Sequence, residues 1–186
     1  MPRASYLTIL VIMLVAAACS SPGPAPPPVD DRYGAPIPPS SRDLHSAADD
    51  PCQRLLTPEQ LRSLGLQATS ARIVELPGAR QCSWNDRERR QTLSLAPWAD
   101  RDLLVDTYRT RQLAVFRPDV ISDLPVVYQQ TAPGAAVCTI TTGVARGQAL
   151  ETTWYSLSNP VTSPPCVAAQ RAVELVLAGI PTVPAR

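Results

Sequence analysis

The sequence predicts an α+β fold: a single domain with an antiparallel sheet packed against helices and two intradomain disulfides. Three observations point there. Short alternating segments follow one another around polar or glycine-bearing turns, as hairpin-linked strands do. Separate stretches repeat apolar residues at three- and four-residue spacing, as amphipathic helices do. Four cysteines are spread so that each half of the domain holds one beside a helix and one on a strand. The chain of 186 residues divides into a signal segment (1–18), a proline-rich stalk (19–48), the folded domain (49–181) and a short tail (182–186). The folded part is sized for one hydrophobic core and too small for two.

At the N-terminus, Arg3 precedes an apolar run from Tyr6 to Ala18. The run is too short to cross a bilayer as a helix, which takes about 20 residues, and it matches the apolar region of a secretory signal. It ends in Ala16-Ala17-Ala18-Cys19-Ser20, which resembles a bacterial lipobox. That implies cleavage before Cys19, lipid on its sulfur, and attachment to the extracytoplasmic side of the cell membrane. The total of five cysteines agrees, because lipidating Cys19 leaves an even four. The stalk carries eight of the 21 prolines, a composition that favours extended polyproline II and a spacer role. His45, the single histidine, falls in the stalk and is therefore expected outside the domain.

In the domain, Thr57-Pro58-Glu59-Gln60 is a helix start: Thr57 caps, Pro58 takes the first turn, and Gln60 closes a capping box. Leu61 and Leu64 share a face and Gly65 ends the helix. A strand over 71–76 turns at Pro77-Gly78 into Gln81-Cys82-Ser83-Trp84, where Cys82 and Trp84 face inward. A charged turn leads to a second strand with Leu93 and Leu95 inside. The spacing of Leu104, Val105 and Tyr108 predicts a helix over 98–111. Residues 113–116 form a short extension or strand that Pro118 ends. Strands follow over 124–129, 136–142 and 149–157, and a last helix starts at Ser163, holds Cys166 in its first turn and stops at Gly179.

Cys52, Cys82, Cys138 and Cys166 permit three pairings. Export favours disulfides, and the intervals lack the close pairs of a structural zinc site. Pairing by halves, Cys52–Cys82 and Cys138–Cys166, closes loops of about 30 residues and ties a helix to a strand each time. On the chain-entropy model each link contributes roughly 3 to 4 kcal/mol.

The run from Asp50-Pro51-Cys52-Gln53-Arg54-Leu55-Leu56-Thr57 through Leu64-Gly65 and Cys82-Ser83-Trp84 resembles the opening of an actinobacterial lipoprotein family known only as domain of unknown function 3558. The likeness continues through Val137-Cys138, Gly147-Gln148 and Pro165-Cys166. It implies a cell-envelope lipoprotein and brings no catalytic residues.

Seventeen basic residues, all arginine, face sixteen acids, and removing Arg3 with the signal leaves a balance of zero. Nothing in that balance suits a nucleic-acid binder. No histidine is expected in the domain, and no nucleophile elbow, phosphate loop or zinc-protease motif is present, so no catalytic residue, metal ligand or cofactor is assigned. Two carboxylate pairs remain, Asp100 with Asp102 and Asp119 with Asp123. They leave a carboxylate-dependent hydrolase acting on wall glycans as the alternative to a non-catalytic module that binds an envelope protein or an apolar ligand. Trp154 and Tyr155 are the recognition candidates. Adjacent on a strand, they must point to opposite faces.

Overall fold

Alternation along the strands accounts for most of the architecture. The computed structural model describes residues 31–88, 90–157 and 164–183. Within these, β2 (Arg72–Leu76), β3 (Ala79–Asn85) and β4 (Gln91–Trp98) form one antiparallel meander. A second is built from β5 (Val115–Ile121), β6 (Leu124–Gln130), β7 (Val137–Ala145) and β8 (Gln148–Ser156). The meanders join where β8 pairs with β4, giving a seven-stranded sheet in the order β2-β3-β4-β8-β7-β6-β5.

One face of the sheet carries Cys82, Trp84, Leu93, Leu95, Cys138, Ile140, Leu150 and Trp154, all buried in one core. The helices close over it. The short helices α1 (His45–Asp49), α2 (Pro51–Arg54) and α3 (Pro58–Ser63) come first, and α5 (Pro165–Gly179) last. Helix α5 lays Ala169, Ala172, Val173, Val176 and Leu177 on the sheet; the two buried alanines let the backbone come close. Helix α3 begins with the expected capping box, Thr57 with Gln60, and Gln60 Nε2 also donates to Leu175 O of α5 at 3.1 Å. The disulfides are Cys52–Cys82, between α2 and β3, and Cys138–Cys166, between β7 and α5. The fold is thus an α+β domain with two helix-to-strand links.

Among the described residues, the other face is covered by a helix at one end only. Helix α4 (Leu103–Thr110) crosses it between the meanders, burying Leu104 and Tyr108 in a small cluster with Ala35 and Val127. Gly143, beside an irregularity in the β7–β8 pairing, lies beneath Leu104. A Cβ there would sit 2.7 Å from Leu104 Cδ2.

Several expectations are corrected. The folded part begins upstream of residue 49: Leu44 is fully buried and Ala47 nearly so, both within the main core. A short strand, β1 (Ser41–Arg42), pairs with β9 (Thr182–Val183), so residues 182–183 of the expected tail are in the sheet system as well. Arg32 reaches Asp102 at 2.9 Å. Tertiary burial of a few apolar residues overrides the local proline-rich composition here. Trp98 is the last residue of β4 rather than the start of a helix; α4 begins after Asp102, whose side chain accepts from Val105 N at 3.2 Å. Pro118 does not end an element either, because it lies within β5 at the sheet's edge, where a residue without an N–H is tolerated. Ser163, the expected cap of the last helix, lies outside the described residues, and Pro164 occupies the N-cap position.

Candidate functional site

One candidate site is an open cleft of about 580 Å³. Its walls come from three separated pieces of chain: Ile37 to His45, the β7–β8 turn, and Val183 of β9. Bringing them together depends on the N-terminal segment being part of the fold. Ile37, Pro38, Pro39, Ala145 and Val183 supply an apolar wall, while Arg42, Asp43, His45, Arg146 and Gln148 supply polar groups.

Most of those polar groups hold the cleft's own frame. Gln148 Oε1 accepts from Leu44 N at 2.8 Å, which fastens the segment to the β7–β8 turn. Arg42 Nη1 donates to Leu177 O and Ile180 O at 2.8 and 2.5 Å, binding the carbonyls at the end of α5. Asp43 Oδ1 accepts from His45 N at 3.0 Å and lies 2.6 Å from His45 Nδ1. His45 Nε2 is 3.3 Å from Asp100 Oδ1. The hydrogen bond the ring gives to Asp43, then the one it gives to Asp100, raises the His45 pKa above its ordinary value, and the His45 amide and ring hold Asp43 below the usual carboxylate range. Protonated, the ring donates one N–H to each carboxylate. Arg146, by contrast, has no carboxylate within ion-pair distance among the described residues.

The histidine expected outside the domain is therefore at this cleft, because the structure places the segment carrying it on the sheet. Sequence reasoning also passed over Asp43, Arg146 and Gln148. The available signal was Leu44 and Ala47, apolar at three-residue spacing behind Asp43, which marks a short buried turn of helix.

Neither carboxylate pair forms a two-acid arrangement through the bonds it makes. Asp102 caps α4 and pairs with Arg32, while Asp100 faces His45. Asp119 pairs with Arg117 at 2.6 Å. Asp123 sits with Ser122 in the β5–β6 turn, both at positive φ, as a two-residue type I′ hairpin requires. A different acid is perturbed: Glu151 is largely buried, its pKa raised by desolvation and partly lowered again by Trp98 and Arg101. Trp98 Nε1 donates to it at 3.2 Å. Among the described residues no group of three histidine, cysteine or acidic side chains is placed to hold a metal ion.

The recognition candidates separate as the alternation requires. Trp154 is 2% exposed and lies between Leu93 and Cys138 in register; one edge of it lines a shallow 160 Å³ depression beside α5. Tyr155 is 37% exposed on the opposite face, so of the two it is the ring a ligand can reach. Cys19 lies outside the described residues. No helix among those described is long and apolar enough to cross a membrane.

No curated protein and no solved structure matches the chain. One family model does, described as a protein of unknown function (DUF3558) and matching residues 14–178. That stretch takes in the disulfide-linked sheet, α4, nearly all of α5 and most of the cleft, and the chain belongs to this family.

Proposed function

We propose that the protein is a lipid-anchored, extracytoplasmic binding protein without catalytic activity, and that its cleft takes a small amphiphilic ligand with an acidic group. The membrane part of the reading is supported by the apolar N-terminus ending at Cys19 and by two disulfides, which persist in oxidising compartments. The observation that carries the binding reading is the division of labour within the cleft. Its acid, histidine and amide are bonded to one another and to the frame, and Arg146 stands beside an apolar wall with no ion-pair partner among the described residues. An apolar wall with few oriented polar groups is the usual composition of a ligand site.

Anilinonaphthalene sulfonate, an apolar ring system with one anionic group, is a suitable probe. Its fluorescence is expected to rise saturably with the full-length protein, and Arg146→Ala and Ile37→Ser are each expected to weaken binding about tenfold. Binding that neither variant changes would place the probe elsewhere and sink the cleft assignment. Turnover of a wall glycan that Asp43→Asn or Glu151→Gln abolished would replace the non-catalytic reading with a hydrolase.

A further inference from the structure

The end of the second sheet face on which no described helix lies has a chemistry of its own. In one row across five strands the register places Ser83, Ser94, Thr153, Thr139 and Gln129 side by side. Strands are spaced about 4.8 Å apart, so the row is roughly 19 Å long. Ser83 Oγ is 2.7 Å from Ser94 Oγ, and Thr139 Oγ1 is 3.0 Å from Thr153 Oγ1. The next row outward holds Asn85, Thr92 and Tyr155 in register, with Thr92 Oγ1 donating to Asn85 Oδ1 at 2.7 Å. Helix α4 covers the face beside these rows: Thr107 Oγ1 donates to Thr141 at 3.4 Å, Leu104 lies over Gly143, and Tyr108 packs on Phe116, the β5 neighbour of Gln129 where the first row ends.

No acidic or basic side chain interrupts either row between β3 and β6. On the same face Glu151, one row inward, is largely buried and bonded to Trp98, and Arg72 is the edge-strand neighbour of Ser83 on β2. An antiparallel sheet face turned to water carries the polar residues of each strand's alternation; here they are hydroxyls and amides, although the chain has 33 Arg, Asp and Glu side chains to draw on. We propose that this face docks an uncharged polysaccharide, with sugar rings against Tyr155 and sugar hydroxyls on the serine–threonine row.

The complementarity is of charge and of hydrogen-bonding type. A charged partner laid on these rows would lose hydration with no opposite charge to replace it. Each Ser–Ser or Thr–Thr pair spends one O–H on its own bond and keeps one donor and spare lone pairs, so the pair both gives and accepts bonds. Sugar hydroxyls have the same double capacity, and chains of such bonds reinforce one another. Tyr155 adds an aromatic surface for the apolar side of a sugar ring while its phenol stays wet. The rows share no residue with the cleft, so this inference does not depend on the ligand assigned there.

Electrophoresis of the purified full-length protein through gels containing dextran or mannan, with polygalacturonate as the acidic control, tests it. Retardation by at least one neutral polymer is expected. Tyr155→Ala and Thr153→Val should each weaken it about tenfold, with thermal melts confirming that the variants are folded. Arg146→Ala should leave it unchanged. No retardation by either neutral polymer, retardation by polygalacturonate alone, or equal retardation of wild type and both variants overturns the proposal. A concentration-dependent dimer that Tyr155→Arg dissociates would assign the face to a second copy of the chain instead.

Discussion

Gly143 shows how one position joins two parts of the molecule. Leu104 of α4 fills the space where a side chain would stand, and Pro125 and Pro38 close in at 3.5 Å. Leu104 is fully buried and has little room to turn, so Gly143→Ala should cost about 1 to 3 kcal/mol, the usual range for overpacking a filled core. Chemical denaturation measures it; a change under about 0.5 kcal/mol would show that α4 shifts freely on the sheet. His45 makes a second residue-level prediction, in pH. Its folded-state pKa is raised by Asp43 first and Asp100 second. The stability it adds is therefore present in full below the pKa of an unfolded histidine and is lost as pH rises through the folded value. In NMR titration its ring protons should respond at higher pH than those of a free histidine. Asp43→Asn should bring that midpoint down further than Asp100→Asn. An unchanged midpoint in Asp43→Asn would mean that the 2.6 Å contact is not maintained in solution.

At the scale of elements, the two disulfides divide the domain evenly. Each links one helix to one strand across a separation of 30 or 28 residues. Replacing either pair with serines should lower the unfolding free energy by roughly 3 kcal/mol, a large share of a typical total of about 5 to 15 kcal/mol. Urea denaturation of the two double variants is the check, and losses below about 1 kcal/mol in both would assign helix docking to packing alone. These links and most of the sheet were legible because buried strands impose a period of two on their residues, as Leu93–Leu95 and Cys82–Trp84 do. Helix α3 was legible from its cap. The start of α4 was not: Trp98 and Ala99 continue the apolar run of β4, and Asp102 announces the helix only through a hydrogen bond to Val105. Pro118 misled because the sequence does not say which strand will be at the edge. The cleft was hidden for a related reason, since its walls meet only after residues distant in sequence have folded together. Proline content described the neighbourhood of Leu44 correctly and said nothing about the core that receives it.

At the scale of the whole molecule, the decisive question is attachment. If Cys19 carries lipid, Cys19→Ser should move the protein from the membrane fraction to the soluble fraction, and the wild-type mass should exceed that of the processed polypeptide by the acyl groups. An unmodified mass would remove the anchor from the proposal. With the anchor in place, the docking of the N-terminal segment has a consequence for where the domain can go. Arg32 is already clasped to Asp102, so only residues 20–30 separate the anchor from the folded body. At no more than about 3.6 Å per residue, that leash is at most about 40 Å long. The domain is then held to a thin layer above the bilayer, where a partner fixed in the same layer meets it at a concentration set by the thickness of that layer rather than by the bulk volume. Contacts too weak to register between freely diffusing molecules would be well occupied there, and lengthening the leash would dilute them without altering a single residue of the binding surface.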